Sequence, residues 1–196
     1  MDNRETILNT ALELFCNRGY DAVGVQEIVD KAGVTKPTLY YYFGSKQGLL
    51  REILNENSMI LEDMLQEMIK LPGELPDVLY RVAKAYFEFA WHHWEFYLFM
   101  VSQLHSGRET EGFQAVHPLI MKYYQFVVQI FEKFSHKLGN MRGRQAQFAV
   151  SFMGMLDSHM IKFKLYDYDE TKNQEITVSE ENMHEIVNQF LYGIYS

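Results

Sequence analysis

One short segment combines hydroxyls, a cation and aromatic rings in a pattern that suits contact with nucleic acid. Thr35, Lys36 and Thr38 supply hydroxyl groups and a positive charge, and three consecutive tyrosines follow. Tyrosine hydroxyls can contact phosphates, and tyrosine rings can contact sugars or thymine methyl groups. Lys36 and Lys46 are the only charged residues in 33–48. The segment therefore predicts a local cationic surface, although the whole chain carries a net charge of −8.

Glycine and proline predict the elements that hold this segment. Gly33 ends one short helix, and Thr35 is the expected N-cap of another that starts at Lys36 or Pro37. Two helices joined by a tight turn form a helix-turn-helix, whose second helix can enter the major groove of DNA.

The three tyrosines cannot all face one core. Three consecutive helical residues cover roughly 200° of arc, so at least one ring must point outward. We predict that this ring is Tyr41. For Tyr40, packing in the core and contact with DNA remain equally open.

The hydrophobic pattern predicts an all-α protein. Apolar residues recur at three- and four-residue intervals along most of the chain, and no alternating strand pattern stands out. The predicted helices comprise one that ends at Gly19, the two of the helix-turn-helix, a long fourth from Ser45 to Leu71, and later ones over 74–93, 95–105, 115–138, 142–166 and 179–195. A strand at Ile176–Val178 remains an alternative to a loop.

Three segments together resemble the tetracycline-repressor (TetR/AcrR) family of bacterial transcription regulators. They are residues 15–22 (FCNRGYDA), 28–29 (IV) and 32–46 (AGVTKPTLYYYFGSK). The resemblance covers about residues 4–54. It implies a helix-turn-helix DNA-binding domain at 1–46 and a helical effector-binding and dimerisation domain at 47–196.

The resemblance also assigns roles to single residues. It implies a scaffold of Ile28, Ala32, Gly33, Leu39 and Phe43. It implies contacts with bases or phosphates of double-stranded DNA from Thr35, Lys36, Pro37, Thr38, Tyr40, Tyr41, Tyr42 and Lys46. Two residues depart from the family pattern, because Gly24 replaces a frequent threonine cap and Tyr42 replaces a frequent histidine.

The C-terminal part is expected to bind a small hydrophobic or aromatic effector. Eight of the fourteen residues in 86–99 are aromatic, more than one apolar helix face requires. Aromatic and methionine side chains line adaptable apolar sites, although such a stripe also builds cores. The candidate ligand-binding residues are Phe89, His93, Trp94, Tyr97, Met100, Phe126, Phe152, Met155 and His159.

The last two helices are predicted to form a homodimer interface, with packing inside one chain as the alternative. Ala146, Ala149, Ser151 and Gly154 allow close approach of one helix, and the next presents apolar residues. They are Met183, Ile186, Val187, Phe190, Leu191 and Ile194. We expect a repressor that an effector releases from a palindromic operator, with allosteric coupling through the fourth helix. The alternative is a helical carrier of hydrophobic molecules without DNA binding.

Other functional classes receive little support. His184-Glu185 begins like a zinc-protease motif but lacks its second histidine, and Asp167–Asp169 opens like a calcium loop, but Lys172 replaces the glycine. We therefore expect no enzyme, no cofactor and no metal. The single cysteine, the polar N-terminus and the absence of a long apolar run predict a cytoplasmic protein without membrane contact. Effector, operator and target genes stay open.

Overall fold

The computed structural model describes residues 2–139, 141–165 and 179–193. Every regular element in these ranges is an α-helix, which confirms the predicted all-α class. The helices are α1 (Asn3–Arg18), α2 (Val25–Ala32), α3 (Lys36–Phe43), α4 (Lys46–Lys70), α5 (Leu75–His92), α6 (Trp94–Leu104), α7 (Glu111–Phe134), α8 (Gln145–Leu165) and α9 (Glu180–Tyr192). None of the helices described here is both long and apolar enough to cross a bilayer.

The N-terminal helix boundaries follow the predicted capping residues. Gly19 has a φ of 79° directly after α1. The Thr35 side chain accepts a hydrogen bond from the backbone N–H of Thr38 at the start of α3. The Ser45 hydroxyl accepts one from the N–H of Gly48, 2.9 Å away, at the start of α4. These local signals fix the ends of the first helices.

The later helices differ from the prediction at their ends. α7 begins at Glu111, four residues earlier than predicted, because Thr110 and the distant Asp21 satisfy its first N–H groups. α8 begins at Gln145 because Arg142 and Gly143 have positive φ angles of 49° and 71°. The alternatives drawn for 167–169 and 176–178 lie outside the described residues.

The chain divides into two compact units. The first contains Met1–Ile60 and His93–Met121, and the second contains Leu61–His92 and Lys122–Ser196. The first unit therefore combines α1–α3, which we call the N-terminal head, with α6 and the starts of α4 and α7. This division of the fold differs from the predicted domain boundary at residue 46. That boundary between a DNA-binding and an effector-binding domain stays a prediction.

The first unit has an aromatic and aliphatic core. Phe15 of α1 is fully buried and lies 5.0 Å from the Tyr20 ring and 6.1 Å from Phe99 of α6, measured between ring centroids. Leu39 of α3 and Leu49 of α4 are also fully buried. Hydrophobic burial thus fixes the head against α4 and α6.

The second unit packs α5 against α8 and α9. Phe152 of α8 is fully buried and lies 5.1 Å from Phe190 of α9, measured between ring centroids. Met183, Ile186 and Val187 of α9 are buried as well. The apolar face of α9 is therefore covered within its own unit. For these residues, this favours packing inside one chain over a role in the homodimer interface. Ile194 lies outside the described residues.

Candidate nucleic-acid interface

The turn between α2 and α3 has the geometry of a helix-turn-helix. Gly33 takes the left-handed conformation (φ 67°, ψ 29°), and its N–H donates to carbonyls at the end of α2. Ile28 and Val29 of α2 and Leu39 and Phe43 of α3 are buried. Because α3 buries these two residues on one side, its other side is held toward solvent.

The start of α3 carries a small hydroxyl pair. Thr35 is the N-cap, and its hydroxyl lies 2.9 Å from that of Thr38. Pro37 stands in the first turn, where the proline nitrogen loses no helical hydrogen bond. Thr35, Lys36 and Pro37 are exposed, and Thr38 is half-buried. Their placement leaves the N-terminal end of α3 open to a phosphate or a base.

The three tyrosines of α3 all reach solvent, to different degrees. Tyr41 is 83% exposed, Tyr40 46% and Tyr42 36%. The rings of Tyr41 and Tyr42 meet edge to face, with centroids 5.2 Å apart. The predicted outward orientation of Tyr41 agrees with this geometry. Tyr40 also lies outside the core, so packing does not explain it.

Lys46 has a structural position that the sequence did not suggest. Its ammonium group donates to the carbonyl oxygens of Tyr20 at 3.0 Å and Val23 at 2.9 Å. It also lies 4.0 Å from the centroid of the Tyr20 ring, a cation–π distance. Two of its three N–H donors are used inside the protein, and a contact with phosphate stays a prediction.

Charge pairing divides the cations near the head into two groups. Arg4 pairs with Glu52 and Glu56, Arg18 with Glu27, and Lys31 with Glu13. Lys36, Lys46 and Arg51 form no ion pair, as far as residues 2–60 are described. Lys36 therefore offers an uncompensated positive charge on the same short helix as Tyr41, as a polyanion requires.

The predicted ligand-binding residues are divided between the two units, and their role in binding stays a prediction. His93, Trp94, Tyr97 and Met100 belong to the first unit, and the other five belong to the second. Four of the nine are buried: Phe89, Tyr97, Met100 and Phe152. Burial, and second the charge of Lys162, lower the pKa of His159, which favours its neutral form.

A cavity of about 450 Å³ in the second unit is lined by a different set of residues. Its walls include Met64, Phe87, Trp91 and Met183, and an ion pair of 2.8 Å joins Lys84 to Glu180 at the same cavity. Glu88 and His92 complete the described lining. None of the nine predicted residues is in it. The high aromatic content of 86–99 indicated an apolar site in this region. The helical spacing of its rings could not show that Phe87 and Trp91 are the ones that line the cavity.

No cluster suited to a metal ion is found in the described part of the chain. His184, from the incomplete zinc-protease motif, stacks on Tyr80 with ring centroids 3.8 Å apart. Burial, and second the charge of Glu95, raise the pKa of the Cys16 thiol, which disfavours the reactive thiolate.

Comparison with known proteins identifies sequence relatives that match part of this chain. The family described as "Bacterial regulatory proteins, tetR family" matches residues 7–53. The transcriptional activator FasR of Mycolicibacterium smegmatis is 34% identical over 91 residues, 46% of this chain and 42% of FasR. The transcriptional repressor BdcR of Escherichia coli is 37% identical over 86 residues, 42% of this chain and 44% of BdcR. The aligned part spans less than half of either relative.

A solved structure extends the likeness to nearly the full chain. A Clostridium perfringens protein assigned to the regulation of fatty acid metabolism has a TM-score of 0.73 and 25% identity. The alignment covers 97% of this chain and 99% of that one. Together with the helix-turn-helix geometry, these matches lead to one conclusion: residues 7–53 belong to the TetR family of bacterial regulatory proteins, and the whole chain shares the fold of the Clostridium perfringens protein.

Proposed function

We propose that the protein is a ligand-responsive transcription regulator that binds a palindromic operator through α3. The observation that carries this proposal is the exposed face of α3. Tyr41 is 83% exposed, the unpaired Lys36 is exposed at the start of the same helix, and Leu39 and Phe43 are buried. An exposed tyrosine and a free cation on a rigid short helix suit the major groove and its flanking phosphates.

The α3 residues have distinct expected roles. Lys36 neutralises a phosphate, and Thr35, Pro37 and Thr38 approach bases or phosphates at the N-terminal end of the helix. Tyr40 and Tyr42 contact the sugar-phosphate backbone, and Tyr41 enters the groove. Lys46 keeps one N–H donor for a phosphate while its other two hold the turn.

Mobility shifts with duplexes from the region upstream of the protein's own gene test this assignment. Tyr41→Ala is expected to weaken binding roughly tenfold or more, and Lys36→Ala to reduce the salt slope by about one. Tyr192→Ala is the matched control, because Tyr192 is 60% exposed on α9. Equal losses of DNA affinity in Tyr41→Ala and Tyr192→Ala, or no mobility shift of the native protein at low salt, would show that α3 does not recognise the DNA.

A homodimer would present two copies of α3 to successive major grooves, roughly 34–36 Å apart. An exposed stripe on α8 supports this arrangement: Ala146, Ser151 and Gly154 are exposed, and Val150 is 60% exposed. The backbone at Gly154 has no atom within 4 Å of where a Cβ would stand, so a helix can approach closely. Sedimentation should give a dimer for the native protein and a monomer for Val150→Glu. A monomeric native protein would contradict the proposal.

The proposed effector is a fatty acid or its acyl thioester, bound in the cavity of the second unit. The apolar walls suit an acyl chain, and Lys84 can exchange Glu180 for an effector anion. The exchange costs little because an exposed ion pair contributes little to stability. The assignment of the Clostridium perfringens neighbour to fatty acid metabolism supports this class.

The two tryptophans of the chain provide a direct test. Trp91 lines the cavity, whereas Trp94 belongs to the other unit and to the residues predicted from sequence. Palmitate or palmitoyl-CoA should quench fluorescence in Trp94→Phe, which keeps Trp91, more than in Trp91→Phe. The reverse pattern would favour the sequence-based site. Quenching without any DNA binding would favour the helical carrier.

We infer that the protein is a repressor, released from DNA when the effector binds. The named relatives include both an activator and a repressor. In a reporter strain with the operator upstream of a promoter, deletion of the regulator should raise expression. A fall in expression would indicate activation instead.

A further inference from the structure

Asp21, in the turn between α1 and α2, caps the N-terminus of α7, about 90 residues away in the chain. One carboxylate oxygen accepts from the N–H of Glu111 at 3.1 Å and the other from the N–H of Gly112 at 3.3 Å. The Thr110 hydroxyl accepts from the N–H of Phe113 at 3.2 Å. A carboxylate is favourable here because the helix dipole places positive charge at this end.

The turn that carries Asp21 is itself held on two sides. The ammonium of Lys46 binds the carbonyls of Tyr20 and Val23, which flank Asp21 and its neighbour. The Tyr20 ring is buried and lies 5.0 Å from that of Phe15 in α1. Asp21 is therefore fixed to α1 and to the start of α4.

The start of α7 also lies against α6. A Cβ at Gly112 would overlap Oε1 of Gln103, which is buried at the end of α6. A larger residue at this position would therefore displace the end of the Gln103 side chain. The first turn of α7 thus contacts Gln103 as well as Asp21.

α7 is one helix from this cap to Phe134, with Pro118 inside it, and its last residues belong to the second unit. The fourth helix also begins beside the turn, through Lys46. The sequence indicated only the fourth helix as a link, but the N-terminal ends of both helices are tied to residues 20–23.

We propose that Asp21 is a positioning residue that couples α7 to the N-terminal head, so that a shift of α7 reorients α2 and α3. The inference rests on the proposed function for its biological meaning. The carboxylate holds the head in its DNA-reading orientation while α7 stays in place. An effector that moves α7 pulls on Asp21 and lowers the affinity for DNA.

The first test measures coupling, the ratio of the DNA Kd with and without saturating palmitoyl-CoA. A native ratio of about 5–150 is typical of allosteric proteins. Asp21→Ala should reduce this ratio at least threefold while leaving effector affinity, read from tryptophan quenching, unchanged. Asp21→Asn, whose amide oxygen still accepts a hydrogen bond, should restore most of it. The control Asp30→Ala removes an exposed carboxylate of α2 and should keep the native ratio.

Amide hydrogen exchange of the free protein tests whether Asp21 couples α7 to the N-terminal head when no effector is present. Asp21→Ala should speed exchange at Glu111 and Gly112 about tenfold and also speed it in α2 and α3, whereas Asp30→Ala should leave the amides of α7 unchanged. Faster exchange in α7 alone would overturn the coupling role, as would a native coupling ratio in Asp21→Ala. A native protein that ignores effector and DNA would reject the proposed function, while the exchange experiment would still decide the role of Asp21.

Discussion

The N-terminal head and the second unit use aromatic residues in opposite ways. In the head, Tyr41 is 83% exposed on a helix whose buried face consists of other residues. In the second unit, Phe152, one of the predicted ligand-binding residues, is fully buried and packs against Phe190. Aromatic density alone therefore does not distinguish rings that are exposed to a partner from rings that build the core.

Replacement of one aromatic residue in each region gives the largest expected contrast. Phe152→Ala should lower the free energy of unfolding by about 3–5 kcal/mol, because it leaves a large cavity in a packed core. Tyr41→Ala should change it by less than about 0.5 kcal/mol, since an exposed ring contributes little. Denaturant titration measures both. A loss below about 1 kcal/mol for Phe152→Ala would indicate that it lines a cavity.

Removal of the α3 cap tests whether the head depends on local interactions. Thr35→Ala should cost about 0.5–2 kcal/mol, because the N–H of Thr38 loses its acceptor. Thr35→Ser keeps the hydroxyl and is the matched control. If both variants were equally destabilised, the threonine methyl group rather than the cap would hold the start of α3.

Acid sensitivity should come from the second unit through His159. Its pKa is lowered in the folded protein, first by burial and then by Lys162, so folding favours the neutral ring. This stabilisation is complete above the unfolded pKa of about 6.5 and is lost as the pH falls through the folded pKa. His159→Gln should therefore lose less stability than the native protein between pH 7 and pH 5. Identical pH profiles would contradict this.

The smallest expected effect concerns a buried hydroxyl in the first unit. The Tyr20 hydroxyl is buried without a hydrogen-bond partner among the described residues. Tyr20→Phe should therefore leave the free energy of unfolding within about 0.5 kcal/mol or raise it. A loss above about 1 kcal/mol would reveal a partner. Burial, and second the charge of Glu111, raise the pKa of Tyr20, so Glu111 is a candidate.

The helix-turn-helix was predictable because its signals are local. Gly33, Thr35 and Ser45 act within one turn of their own helix, so residue type and spacing define the boundaries. The outward orientation of Tyr41 follows from helix geometry alone.

The remaining features depend on contacts between distant residues. The early start of α7 needs Asp21, about 90 residues away, and the position of Lys46 depends on the carbonyls of residues 20 and 23. In the second unit, no period distinguishes Phe87 at the cavity from Phe89 in the core, because neighbouring helices decide which rings are covered.

Hydroxyl-radical footprinting on the upstream region of the protein's own gene would show where the two copies of α3 contact DNA. Two protected half-sites are expected, 10–10.5 base pairs apart or a multiple of this spacing, related by two-fold symmetry. Tyr41→Ala should abolish the protection at concentrations where Tyr192→Ala retains it. A footprint unaffected by Tyr41→Ala, or no footprint from the folded native protein, would contradict the account.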